Sequence, residues 1–151
     1  MFQTPFPQDE QTWLENFDRI QENTAGAHLG IKLESINADE IVLTMPISDK
    51  TRQPYGLLHG GITMALVESA ASIHASWGVD FSKVVPVGIE INGSHVRSAT
   101  EGTVRAVGRV VRRSRSMIVH QVDVYLVETG ELLSTARMTN FYKPVNQEEK
   151  G

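Results

Sequence analysis

The stretch GLLHGGITMALVESAASIHASWG, Gly56 to Gly78, decides how the rest of this chain is read. From Gly60 to Trp77 it holds good helix formers, and Gly78 stands where a C-terminal cap is expected. Apolar side chains cover nearly every side of such a helix, which places it in an interior. Two glycines at its start permit a tight turn and close approach of a ligand to the backbone. The first N–H groups of a helix lack internal partners, so they suit an anion or the oxygen of a polarised carbonyl. A plain glycine turn is the alternative reading of His59-Gly60-Gly61. His59 likewise reads as a structural hydrogen-bonding residue or as part of a site.

Glu68 sits in the middle of this helix, and Ser72 follows one turn later on the same face. A carboxylate among apolar neighbours is costly unless it is paired, protonated or functional. It is either a catalytic group or one that faces solvent or a structural arginine. Ser72 gains weight only from its spacing to Glu68, because a helical serine ordinarily bonds the carbonyl one turn back. Gly60 and Glu68 are eight residues apart, about 12 Å along a helix axis. One small carbonyl cannot touch both in the same chain. If both act on one substrate, they come from two subunits related by a two-fold axis.

Outward from this helix the pattern changes. Towards the N-terminus, Trp13, Leu14, Phe17 and Ile20 recur at helical spacing within residues 9–23, with Asp9 and Glu10 favouring the first turn. Ile31–Ile36 reads as a weak strand. Ile41, Leu43, Met45 and Ile47 alternate and make a better one, with Pro46 at its edge or end. After the helix, Val84–Val96, Thr103–Arg112, Met117–Val127 and Leu132–Tyr142 all read as strands, the last two joined by the turn Glu128-Thr129-Gly130-Glu131. Helix, two strands, long helix and four strands form an α+β pattern, an antiparallel sheet wrapped around one central helix. Residues 1–143 make one domain, and 144–151 a polar tail.

The chain has 151 residues, of which 40% are hydrophobic and 21% charged, the balance of a globular protein. A net charge of −4 argues against wholesale binding to nucleic acid or anionic membrane. Cysteine is absent, which excludes disulfides and thiolate nucleophiles and fits the cytoplasm. No signal peptide or membrane span is expected, and the five histidines follow no zinc spacing. Six arginines fall between positions 97 and 115. Arg113-Ser114-Arg115-Ser116 suits a phosphate such as the nucleotide end of coenzyme A, while an exposed strand face paired with glutamates explains the arginines equally well. His74 and His120 read as structural, whereas His95, near a strand end, can reach a ligand.

Taken together, Gln53, the run Gly56 to Gly61, Ala65-Leu66-Val67-Glu68, Ser72 and the later Glu90-Ile91-Asn92-Gly93-Ser94-His95 resemble the hotdog-fold acyl-CoA thioesterases. The resemblance covers roughly residues 28–143. It is strongest to the branch of the phenylacetate-pathway (PaaI-like), glutamate-type 4-hydroxybenzoyl-CoA and dihydroxynaphthoyl-CoA thioesterases. It implies that Glu68 is nucleophile or general base, and that the Gly60 N–H polarises the thioester carbonyl. Gln53 and His59 would position the thioester, and Ser72 would orient Glu68 or the lytic water. Gly61, His95, Arg113, Ser114, Arg115 and Ser116 would meet substrate or coenzyme A. It implies an aromatic or medium-sized acyl-CoA substrate, no metal and no cofactor beyond the coenzyme A of substrate and product. It also implies a homodimer with shared sites, assembled into a homotetramer. A hotdog hydratase or dehydratase and a non-enzymatic acyl-CoA-binding module are the rival expectations.

Overall fold

A computed structural model describes residues 4–145; most of the expected polar tail lies outside the described residues. The elements in chain order are α1 (Glu10–Gln21), α2 (Ala25–Leu29), β1 (Lys32–Ile36), β2 (Glu40–Pro46), α3 (Gly60–Ala75), β3 (Val84–His95), β4 (Thr103–Arg113), β5 (Met117–Leu126) and β6 (Leu132–Pro144). The strands form one antiparallel sheet in the order β1-β2-β4-β5-β6-β3. The chain therefore leaves β2, crosses the sheet as α3 and descends at the far edge as β3. The meander β4-β5-β6 then fills the space between. Pro46 ends β2, as its missing N–H requires.

The helix lies on the sheet through Thr63, Leu66, Val67, Ala70, Ala71, His74 and Ala75, a stripe of three- and four-residue spacing. Against it the sheet presents alternating inward rows: Ile41, Leu43 and Met45 on β2, Val122 and Val124 on β5, Ala136 and Met138 on β6. Truncating a fully enclosed member such as Leu66 to alanine costs about 2–5 kcal/mol. The helix stops at Ala75, two residues short of the expected end, and Gly78 takes its left-handed conformation (φ 69°) beyond the cap at Ser76. The opposite face of α3 is not covered. Glu68 and Gly61 are exposed, and Ile62, Met64, Ala65, Ser69, Ser72 and Ile73 are only partly buried. The expected antiparallel sheet around one long helix is present, and it covers one side of that helix, as a single sheet must.

The N-terminal segment folds across the far end of the helix. Asp9 caps α1, accepting from the Thr12 N–H. Trp13 and Phe17, four residues apart, face inward. Phe6 stacks on Phe81 at 4.1 Å between ring centroids, and its N–H donates to the Val79 carbonyl. Among the described residues no helix is long and apolar enough to cross a membrane.

His74 and His120 meet inside the core. His74 Nε2 lies 2.7 Å from the Asn37 carbonyl oxygen, so it carries the proton and donates. His74 Nδ1 is then an acceptor, 2.8 Å from His120 Nε2, and His120 Nδ1 is left buried without a donor. Burial pushes His74 down to about 4, and burial, then the charge of His74, pushes His120 down to about 3. Both are neutral in the fold and take up protons on unfolding below their ordinary value near 6.5. Stability is therefore whole above that pH and falls as pH drops towards 4. Denaturant melts at pH 7.5, 5.5 and 4.5 should show the midpoint falling stepwise, with a shallower slope in His120→Leu. A flat midpoint over that range contradicts the neutral pair.

Candidate active site

The sequence Thr51 to Gly61 folds so that its backbone delivers the helix N-terminus to a cavity. Thr51 caps its own turn, its hydroxyl oxygen accepting from the Ser48 N–H. The His59 N–H then donates to the Thr51 carbonyl, and the Leu58 N–H to the Ala99 carbonyl. His59 is the N-cap of α3: its Nδ1 accepts from the Gly61 N–H at 2.9 Å. That bond leaves Nε2 as its protonated, outward nitrogen. It also means that the Gly61 N–H is already engaged. Gly60 is the first helical residue, so its N–H has no acceptor within the helix.

A cavity of about 200 Å³ opens at this point, and Gln53, Gly60, Thr63, His95 and Ser134 line it. Gln53 is fixed by its backbone bonds to Leu57 and Gly56, and its side-chain oxygen takes the Tyr55 N–H. His95 arrives from the end of β3 and is held by Ser134 on β6, Nδ1 to Oγ 2.8 Å. Its ring lies directly over Gly60, where a Cβ would come within 2.7 Å of His95 Nε2. Glycine is needed at position 60 for that close approach.

Glu68 and Ser72 are two and three turns further along α3, on the uncovered face. The Glu68 carboxylate lies beside Gly88 of β3, where a Cβ would sit 3.0 Å from Oε1. Ser72 Oγ accepts from Asn140 Nδ2 at 2.9 Å. Beside Ser72 a second cavity of about 410 Å³ runs between α1 and α3, walled by Phe6, Trp13, Phe17, Ile73 and Phe81. Within one chain, then, the structure groups Gln53, Gly60 and His95 around one cavity, leaves the exposed side chain of His59 capping the helix beside it, and separately places Glu68 and Ser72.

Three arginines of the cluster are in ion pairs with glutamates: Arg97 with Glu131 (2.6 Å), Arg105 with Glu34 (3.0 Å) and Arg109 with Glu40 (2.8 Å). All three pairs are partly exposed and contribute little, about 0–1 kcal/mol each. Arg113 donates to the Tyr142 hydroxyl, which in turn donates to the Ala75 carbonyl. Ser114 closes the β4–β5 turn against Met117, and the Ser116 carbonyl accepts from the Tyr142 N–H. Arg113, Ser114 and Arg115 line an open cavity of about 400 Å³ with Lys83 and Trp77, at the C-terminal end of α3. Among the described residues, no group of three or more His, Asp or Glu side chains is placed to hold a metal.

Gly88, Asn140 and Ser134 were not singled out from the sequence. A signal existed for Ser134 and Asn140: they stand at either end of the inward row Ser134, Ala136, Met138, Asn140 of β6 and are its polar members. Gly88 carries no local signal, because what it touches is fixed by sheet register.

Residues 55–133 match the family model of the thioesterase superfamily. The 1,4-dihydroxy-2-naphthoyl-CoA hydrolase of Escherichia coli (strain K12) is 37% identical over 126 residues, 83% of this chain and 91% of that protein. The proofreading thioesterase EntH of Klebsiella pneumoniae is 37% identical over 117 residues, 78% of this chain and 84% of that one. A crystal structure of a mutant of thioesterase PA1618 from Pseudomonas aeruginosa superposes with a TM-score of 0.84 at 33% identity, covering 95% of this chain and 97% of that one. The chain belongs to the thioesterase superfamily. Its α+β architecture is the hotdog fold, and it is a thioester hydrolase.

Proposed function

We infer that the chain hydrolyses an aromatic or medium-sized acyl-CoA to the free acid and coenzyme A at sites shared between two protomers. The observation that carries this reading is the division of the site. The Gly60 N–H, with Gln53, His59 and His95, occupies one end of α3, and Glu68 with Ser72 occupies its uncovered middle. A second α3 running antiparallel across that open face would bring the two halves together. It would also bury Ile62, Met64 and Ala65. The edge of the sheet supports the same arrangement. β3 is twelve residues long, pairs among the described residues only with β6, and exposes Val87 and Ile89. A long apolar edge strand is a liability unless it is paired.

In this arrangement the Gly60 N–H of one protomer binds the thioester oxygen as negative charge develops on it. Glu68 of the other either attacks the carbonyl carbon or takes a proton from the attacking water. The C–S bond breaks and the sulfur leaves as the thiolate, which is protonated; on the nucleophilic route water then cleaves the acyl–Glu68 anhydride and restores the carboxylate, and on either route the carboxylic acid departs. The cavity between α1 and α3 adjoins Ser72 and suits the acyl group, its aromatic walls favouring a flat or medium-sized apolar one. Arg113, Ser114, Arg115 and the adjoining Ser116 are assigned to the phosphates of coenzyme A, at a cavity where Arg113 and Arg115 bring positive charge and Lys83 is paired with Asp80. The reading places the enzyme in the glutamate-type branch, as a homotetramer of such dimers in the cytoplasm.

A hydrolysis screen over benzoyl-, hydroxybenzoyl-, naphthoyl-, hexanoyl- and palmitoyl-CoA, with a thiol reagent as readout, tests it. The highest kcat/KM is expected for the aromatic and medium-chain thioesters. Preference for palmitoyl-CoA contradicts the assigned acyl class. Water addition to an enoyl-CoA without thiol release favours a hydratase instead.

A further inference from the structure

The hydroxyl-bearing residues of α3 do not all behave alike. Thr63 Oγ1 donates to the His59 carbonyl (3.1 Å), Ser69 Oγ to the Ala65 carbonyl (2.7 Å) and Ser76 Oγ to the Ser72 carbonyl (3.3 Å). This back-bonding over one turn is the ordinary fate of a helical hydroxyl. Ser72 departs from it. Its Oγ instead accepts a hydrogen bond from Asn140 Nδ2 across the gap to β6, at 2.9 Å, and makes no bond to the Glu68 carbonyl.

Asn140 is fully buried, and among the described residues its Oδ1 has no partner. An amide with one half unpaired is an expensive choice for an inward strand position where Ala136 and Met138 are neighbours in the row. Its one side-chain bond goes to Ser72. A hydroxyl that accepts through one lone pair keeps its own hydrogen to give elsewhere. With the Glu68 carbonyl not taking it, that hydrogen is free for an acceptor on the uncovered face, where Glu68 lies one turn away.

We propose that Asn140 is a positioning residue for thioester hydrolysis: its amide holds Ser72 as a hydrogen-bond donor towards the Glu68 carboxylate or the water that Glu68 activates. Asn140 itself touches neither substrate nor water. Its effect passes through Ser72. The inference rests on the assignment of Glu68 and Ser72 to the site.

A double-mutant cycle on the full-length enzyme tests it, with Asn140→Leu, Ser72→Ala and the double variant, and Glu68→Ala as a separate control. Leucine has nearly the branched shape of asparagine and no polar atoms. Asn140→Leu should lower kcat roughly 10- to 100-fold with KM little changed, because orientation and not binding is lost. Ser72→Ala should lower kcat by a similar factor, and adding Asn140→Leu to Ser72→Ala should cost nothing more. A wild-type kcat in either single variant overturns the proposal. So does an equal further loss when Asn140→Leu is added to Ser72→Ala, which would mean that Asn140 acts through the fold. If Asn140→Leu does not fold, Asn140→Ala takes its place in the same cycle with the same outcomes. Full turnover by Glu68→Ala overturns the assignment of the site and this inference with it. An inactive Glu68→Ala beside a fully active Asn140→Leu overturns the role of Asn140 alone.

Discussion

Glu68→Ala should lose about a thousandfold or more of kcat and keep its fold. The size follows from the role assigned to the carboxylate, since removing a nucleophile or general base typically costs 10²–10⁴-fold or beyond. Survival of the fold follows from where the side chain lies. Glu68 is on the uncovered face of α3, outside the stripe of Leu66, Val67, Ala70 and Ala71 that packs on the sheet. Thermal melting should therefore be unchanged within a few degrees while turnover collapses. Glu68→Gln keeps the shape and removes the charge, and it should be nearly as inactive, because a neutral amide neither attacks a thioester nor takes a proton from water. Hydrolysis by either variant at the wild-type rate would remove Glu68 from the chemistry.

Gly60→Pro should lower kcat by about 10²- to 10³-fold, the usual loss when one oxyanion donor is deleted. Proline has no N–H, and the backbone here accepts it. Gly60 is the first helical residue, where proline is favoured. His59 before it is extended, φ −71° and ψ 123°, as a residue preceding proline should be. At Cβ the steric cost is His95, whose Nε2 lies 2.7 Å from where that atom would be. His95→Ala measures that cost separately. If Gly60→Pro loses no more rate than His95→Ala, the amide hydrogen contributes nothing.

Most of the fold is legible in the residues, because the signals are local. The two glycines and the all-round apolar run mark α3 within two residues of its end. The period-two alternation of β2, β4, β5 and β6 survives because each has one face on the helix. Three things escape local periodicity. The five-residue α2 is too short for periodicity, although Thr24 and the left-handed Gly30 bound it. The pairing of Arg105 with Glu34 and of Arg109 with Glu40 is set by which strands are neighbours. The open face of α3 is hidden by its own composition, since apolar residues all round look the same whether a sheet or a second helix covers them. The site follows the same division. His59-Gly60-Gly61 and Glu68 stand out in one dimension, but the amide of Asn140 beneath Ser72 and the clearance that Gly88 gives to Glu68 exist only in three.

The sharing of each site between two protomers is tested most directly by mixing Glu68→Ala and Gly60→Pro chains, each nearly inactive alone, and isolating the heterodimer. If Gly60 of one chain works with Glu68 of the other, the heterodimer has one intact site and one doubly damaged site. It should show half the wild-type turnover per dimer. In an unfractionated, fully exchanged equimolar mixture, roughly a quarter of wild-type activity is expected. A verified, folded heterodimer that is no more active than its two parents would show that each chain must supply both groups itself, and would contradict the shared site.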